Sequence, residues 1–268
     1  MRTFGHSRQP GQIAGAETKN GPGDGGGGRA AVTVVGLGPG NENCLTPEAL
    51  QAVRQADVVV GYKTYINLIA HLVADKEVIS NGMRAEIQRA RKAVELAAGG
   101  RKVAVVSSGD PGVYGMAGLV LEVAAGKVPV AVVPGLTAAT AAAASLGAPL
   151  MHDFAVISLS DLLTPWETIV KRLEAAAGAD FVIVLYNPKS KGRQRHLAGA
   201  RQVILRHRRP DTPVGIVRSA RRGEETRVIT TLSNMLEHRV DMLSTVIIGN
   251  SQTVVENGYM ITPRGYKL

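Results

Sequence analysis

The chain has 268 residues, 45% of them apolar and 20% charged, with a formal net charge of +9. This length and balance fit one large globular domain or two smaller ones, well away from the disordered and membrane classes. No window offers the 18 or more apolar residues of a membrane helix, and no apolar core follows Arg2, Arg8 and Lys19 as in a secretory leader, so a cytoplasmic protein without membrane contact is expected. The single cysteine, Cys44, rules out an intrachain disulfide and argues against a thiolate metal centre. The histidines (His6, His71, His152, His196, His207, His238) show no ligand spacing, so no protein-built metal site is expected.

Residues 1–29 contain GPGDGGGG and few apolar side chains, and are expected to form a disordered tail. An apolar run over 32–35 then enters the glycine-rich stretch 36–41. Thr46, Pro47 and Glu48 suit the N-cap, first position and positive dipole end of a helix. Strands are predicted over 57–60 and 76–79, a helix over 84–98, a fully apolar strand over 102–106, a helix over 116–125, a strand over 130–133 and an alanine-rich helix over 138–146. After Gly147-Ala148-Pro149 a second series begins: strand 154–159, helix 166–176, strand 181–186, helix 194–207, strand 214–217, extended segment 227–231, helix 232–237 and strand 244–248. The β-rich tail 254–263 suits an antiparallel edge. The alternation predicts an α/β protein of two lobes, residues 30–149 and 150–268, the second with a mixed sheet.

Four loops at predicted strand ends carry unusual sequence: GLGPGN at 36–41, SSGDPGVYG at 107–115, PGLTAA at 134–139 and LYNPKSKGR at 185–193. Open α/β sheets bind ligands at the carboxyl ends of their strands, where backbone groups are left unpaired. GLGPGN is not a dinucleotide fingerprint, because Asn41 stands where the third glycine belongs, and it lacks the Gly-Lys-Ser/Thr of a P-loop. Alone, each loop could be only a turn, Thr137 only an N-cap, and Asn187-Pro188 only a turn; four such loops in this order point to a ligand cleft. A run of basic residues from Lys189 to Arg222 could be a solvated helix face. With aromatic content of 4% and no RNA-recognition signature, an acidic small ligand fits it better than nucleic acid.

GLGPGN followed by Leu45-Thr46-Pro47-Glu48-Ala49-Leu50 and Ala56-Asp57-Val58-Val59-Val60 resembles the opening of the tetrapyrrole (corrin and sirohaem type) methyltransferases. SSGDPGVYG and VVPGLTAATAAAASLGAPL are similar to that family's next two signatures, and the resemblance spans residues 31–250. Gly61-Tyr62-Lys63-Thr64-Tyr65, the stretch 157–167 and Tyr186-Asn187-Pro188-Lys189-Ser190-Lys191-Gly192-Arg193 resemble the precorrin-3B C17-methyltransferase branch of cobalamin biosynthesis. The resemblance implies a two-lobed tetrapyrrole methyltransferase fold, a homodimer, and S-adenosyl-L-methionine folded into an interlobe cleft. Carried over by motif, the cofactor contacts are Pro39, Gly109, Asp110, Val113, Thr137, Ala138, Asn187, Ala220 and Thr245. The wider family often has an acidic residue where Tyr62 stands, so no carboxylate base is implied there.

Methyl transfer disperses the charge of a sulfonium, so alignment matters more than acid or base, and backbone carbonyls suit the cofactor better than cations. The ring contraction that accompanies C17 methylation in the resembled branch calls for proton transfers. Tyr62, Lys63, Tyr114, Ser158, Ser160 and Asp161 are candidates to touch a tetrapyrrole, with Lys63 and Arg84 suited to its acetate and propionate groups. Ser160 and Asp161 could instead cap the next segment. Two alternatives stay open: a cobalt-containing substrate, with His152 as a conceivable axial ligand, and a non-catalytic basic RNA-binding module.

Overall fold

The computed structural model describes residues 31–82 and 85–267; the tail expected over 1–29, and Arg84, lie outside the described residues. The first lobe is built on five parallel strands, β1 (Val32–Gly36), β2 (Val58–Tyr62), β3 (Glu77–Asn81), β4 (Val103–Ser107) and β5 (Val130–Val133), in the order β3-β2-β4-β1-β5. Successive side chains of a strand point to opposite faces, so near-continuous apolar runs are needed where helices cover both. Val32, Val34, Val58, Val60, Val103 and Val105 pack with α3 (Glu86–Ala98) and α4 (Ala117–Ala124). Val35, Val59, Ala104 and Val106 pack on the other face with α1 (Pro47–Gln55) and α2 (Lys63–Leu68). The predicted cap holds, since Thr46 accepts a hydrogen bond from the Ala49 amide at 3.0 Å with Pro47 in the first turn.

Helix α5 (Ala138–Leu146) is assigned by sequence order to the first lobe, yet it packs on the second. Ala139, Ala142, Ala143 and Leu146 bury against Val182, Val184, Val217 and Ile247. The approach is close enough that a Cβ on Gly215 would fall 2.2 Å from Leu146 Cδ1. The chain then runs through β6 (Gly147–Ala148) into β7 (Phe154–Ser158), α6 (Trp166–Gly178), β8 (Val182–Tyr186), α7 (His196–Ile204), β9 (Pro213–Arg218), β10 (Thr226–Thr231) and β11 (Ser244–Ile248). The second sheet has the order β10-β9-β11-β8-β7; β7 and β8 are parallel and the other pairs antiparallel. Helices α6 and α7 cover its other face through Ile169, Leu173, Leu197 and Ile204.

Three predicted elements are corrected. The helix expected over 232–237 is one 3-10 turn, Met235–Glu237: Leu232 and Met235 are fully buried, while the amides of Leu232 and Ser233 bond back to the Thr212 and Pro210 carbonyls. The helix expected over 194–207 is limited to His196–Ile204. The tail does not edge the second sheet. It forms a hairpin, β12 (Val254–Glu256) and β13 (Tyr259–Ile261), that joins β6 in a separate three-stranded sheet. Asn257 and Gly258, both at positive φ, supply its two-residue turn.

Candidate active site

Strands β4, β1 and β5 are neighbours, so their three carboxyl-terminal loops emerge side by side. They meet backbone against backbone. Gly38 and Gly109 exchange amide-to-carbonyl hydrogen bonds of 3.1 and 2.7 Å, and a Cβ on Gly135 would lie 2.2 Å from the Gly109 carbonyl oxygen and 2.8 Å from Gly36 Cα. Asp110 ties the group together, accepting from the Gly112 amide at 2.7 Å and the Gly135 amide at 3.0 Å. Its carboxylate is thereby committed to loop geometry. Asn41, which breaks the dinucleotide pattern, caps the 3-10 turn Glu42–Cys44 by accepting from the Asn43 amide.

The second lobe closes onto these loops through polar side chains. Tyr186 ends β8, and its hydroxyl lies 2.5 Å from Thr137 Oγ1 and accepts from the Ala139 amide at 2.6 Å. Thr137 sits at the N-cap position of α5 without making a side-chain cap bond; its hydroxyl meets Tyr186 instead. Burial pushes the Tyr186 phenol above its ordinary pKa, outweighing the hydrogen bonds from Thr137 and Ala139. Tyr114, at a positive φ in the second glycine loop, reaches β7: its hydroxyl donates to the Val156 carbonyl at 3.0 Å and accepts from the Ser158 amide at 3.2 Å. Ser158 Oγ also accepts from Asn187 Nδ2 at 2.9 Å, so Tyr114, Ser158 and Asn187 form one hydrogen-bonded network, which Tyr186 adjoins through its ring, 5.9 Å from that of Tyr114.

Arg222, on the turn between β9 and β10, crosses to the first lobe. Its Nε donates to the Pro39 carbonyl and Nη2 to Ser108 Oγ at 3.2 Å. Pro39 is buried beneath it. Burial lowers the Arg222 pKa and raises that of Tyr65.

The structure thus brings Pro39, Gly109, Asp110, Thr137, Ala138 and Asn187 to one interlobe seam, with Val113 exposed in the second glycine loop. Ala220 and Thr245 are buried in the second lobe, Thr245 opposite Val217 in the β11–β9 register. Tyr62 and Lys63 stand at the carboxyl end of β2, with Tyr62 edge-on to Tyr65 at 5.2 Å. Ser160 donates its amide to Ser158 Oγ. Asp161 does not cap α6, whose N-cap is Pro165; it pairs with His196 Nε2 at 2.8 Å, a bond that holds its carboxyl below the usual range. His152 is exposed beside Asp153. No group of three His, Cys, Asp or Glu suited to a metal occurs among the described residues. Nor does any helix there have the length and apolarity to cross a membrane. A groove of about 410 Å³ between 189–194 and 240–243 borders the fourth loop, but none of its lining comes from the three glycine loops. Tyr186 and Arg222 are the residues that sequence reasoning passed over. Tyr186 stood inside a quoted motif, whereas Arg222 was one charge among many.

A parallel-sheet lobe whose backbone loops meet a mixed-sheet lobe defines the two-lobed methylase class of α/β enzymes. The model of the family Tetrapyrrole (Corrin/Porphyrin) Methylases matches residues 31–236, and the chain belongs to that family. It is 53% identical over 240 residues, covering 88% of this chain and 100% of the relative, to the probable cobalt-factor III C(17)-methyltransferase of Salmonella typhimurium. The solved structure of the methyltransferase CobJ aligns with a TM-score of 0.84 at 38% identity, covering 87% of this chain and 100% of that one. Uroporphyrin-III C-methyl transferase from Thermus thermophilus, complexed with S-adenyl homocysteine, aligns with a TM-score of 0.64 at 27% identity, covering 82% and 97%.

Proposed function

We propose that the chain transfers a methyl group from S-adenosyl-L-methionine to C17 of cobalt-factor III, with ring contraction, in cobalamin biosynthesis. The sequence motifs alone pointed first to metal-free precorrin-3B; the full-length relative in Salmonella typhimurium is named for the cobalt-containing substrate, which shifts the preference. Precorrin-3B remains the second reading. The observation that carries the function is the backbone convergence of the three glycine loops opposite Tyr186 and Asn187.

The seam fits such a cofactor. A Cβ on Gly109 would meet nothing closer than Thr137 Cα at 4.0 Å, so the second loop leaves room on its open side. The proposed contacts are Pro39, Gly109, Asp110, Val113, Thr137, Ala138, Asn187, Ala220 and Thr245, with Asp110 acting through the loop it shapes. Bound there, the cofactor supplies the methyl group from a cationic sulfonium. The loops offer carbonyl dipoles, and the Tyr186 hydroxyl pins the start of α5 so that alignment, worth several kcal/mol in rate, is built into the fold. Tyr62, Lys63, Arg84, Tyr114, Ser158, Ser160 and Asp161 are proposed to face the tetrapyrrole. The two lobes are taken to divide near 134–149, and the active form to be a homodimer that binds neither nucleic acid nor membrane.

The test is parallel incubation with cobalt-factor III and with precorrin-3B, using methyl-labelled cofactor and mass spectrometry. A one-methyl gain on the cobalt compound is expected. Gain on precorrin-3B alone would transfer the assignment to the second reading, and no gain on either by folded protein would overturn it.

A further inference from the structure

Arg222 is held in an unusual way. The turn that presents it places Ser219 and Arg221 at φ of 52° and 57°, a left-handed conformation that costs a non-glycine residue about 1 kcal/mol or more. The Arg222 amide bonds to the Ser219 carbonyl at 2.9 Å, and Glu225 Oε2 accepts from the Arg221 amide at 2.5 Å, fixing the turn. The side chain then spends donors on Pro39 and Ser108 in the other lobe. Among the described residues its Nη1 has no hydrogen-bond partner, which leaves that donor for a ligand.

Arg206, Arg208, Arg209 and Arg218 each face a carboxylate. Arg201 and Arg227 bond only to carbonyls, inside their own lobe. Arg222 reaches across, is half-buried, and has no carboxylate partner among the described residues. A half-buried guanidinium with a donor to spare and no carboxylate beside it is a receptor for a carboxylate. It also abuts the loop proposed to hold a sulfonium, where an uncompensated cation would be repulsive.

We propose that Arg222 forms a carboxylate-binding subsite at the lobe seam that neutralises its charge when ligand enters. This rests on the function proposed above. Both ligands of that function carry carboxylates, the cofactor on its amino-acid tail and the tetrapyrrole on its rim.

The test uses full-length Arg222→Met and Arg222→Lys, with thermal melts to show folding. Titration calorimetry measures S-adenosylhomocysteine and 5′-methylthioadenosine, which lacks the carboxylate; absorbance titration measures the tetrapyrrole. A charge-assisted hydrogen bond predicts a loss of about tenfold or more in Arg222→Met, partly restored in Arg222→Lys. Loss for S-adenosylhomocysteine with methylthioadenosine unchanged assigns the cofactor carboxylate. Loss for the tetrapyrrole with both nucleosides unchanged assigns the substrate. Equal loss for both nucleosides, or no loss for any ligand, overturns the subsite and leaves Arg222 as a tie between lobes. Wild-type protein that binds neither cofactor product nor tetrapyrrole would instead defeat the underlying function.

Discussion

Replacing Gly135 by alanine adds a single methyl group at the point where the three loops meet. The new carbon would lie 2.2 Å from the Gly109 carbonyl oxygen, about 1 Å inside ordinary contact, and 2.8 Å from Gly36 Cα. Both obstacles are backbone, held in register by β1 and β4, so no side chain can swing aside. Overpacking of this kind costs about 1–3 kcal/mol, and displacing the Gly135 amide weakens its bond to the Asp110 carboxylate, worth roughly 1.5–3 kcal/mol. A total of about 3–5 kcal/mol corresponds to a melting temperature lower by roughly 10 °C in a chain of this size. The affinity for S-adenosylhomocysteine should fall with it. Gly118→Ala is the matched control: it lies in α4 with nothing within 4 Å of the added carbon, and should stabilise by about 0.5–1 kcal/mol. Thermal melts by circular dichroism and calorimetric titration measure both effects. A Gly135→Ala protein melting with wild type and binding the cofactor product equally well would refute the loop convergence.

Tyr114→Phe removes two interlobe hydrogen bonds from an exposed side chain and should cost about 1 kcal/mol in urea unfolding, while raising KM for the tetrapyrrole. Arg208→Met should cost about 2–3 kcal/mol in the same assay, because its side chain, 5% exposed, holds the Ala177 and Phe181 carbonyls and Asp180; an unchanged midpoint would contradict this. Asp241 is opposed by burial, but the hydrogen bond and charge of Arg218 and the Leu243 amide hold its carboxyl below the ordinary range. A folded pKa below the unfolded value of about 3.9 stabilises above that pH and is lost as pH falls through the folded value. The stability gap between wild type and Arg218→Met should therefore be full near neutrality and close on acidification below about pH 4; a gap undiminished at low pH would contradict the pairing.

Most strands and helices were legible because apolar runs and caps are local signals: the valines of β1, β2 and β4 announce a sheet covered on both faces, and Thr46-Pro47 marks a helix start. What failed was set by tertiary partners. Leu232 to Glu237 has helical spacing, but its Leu232 and Ser233 amides are bound to the distant turn at 210–212 that leads into β9. Helix α5 follows a first-lobe loop in sequence, and its place on the second sheet depends on distant partners, with Gly215 leaving the space that Leu146 fills. Asn257-Gly258 is a strong hairpin signal that the tail prediction overlooked, and pairing with β6 has no local signature. The site was legible as loops because glycine, proline and asparagine carry backbone meaning wherever they stand. Its clasps were not, since Tyr186 meets Ala139 from 47 residues away and Arg222 meets Pro39 from 183. A side chain that works at such distance leaves no spacing pattern in a single sequence.

Calorimetric titration of S-adenosylhomocysteine into wild type and Gly109→Arg tests the cleft most directly. The open side of Gly109 would be filled by the arginine side chain, at a strain of about 1–2 kcal/mol from its left-handed backbone, and thermal melts would verify that the protein still folds. Binding by wild type and none by folded Gly109→Arg is the predicted result; equal affinity in both would place the cofactor elsewhere.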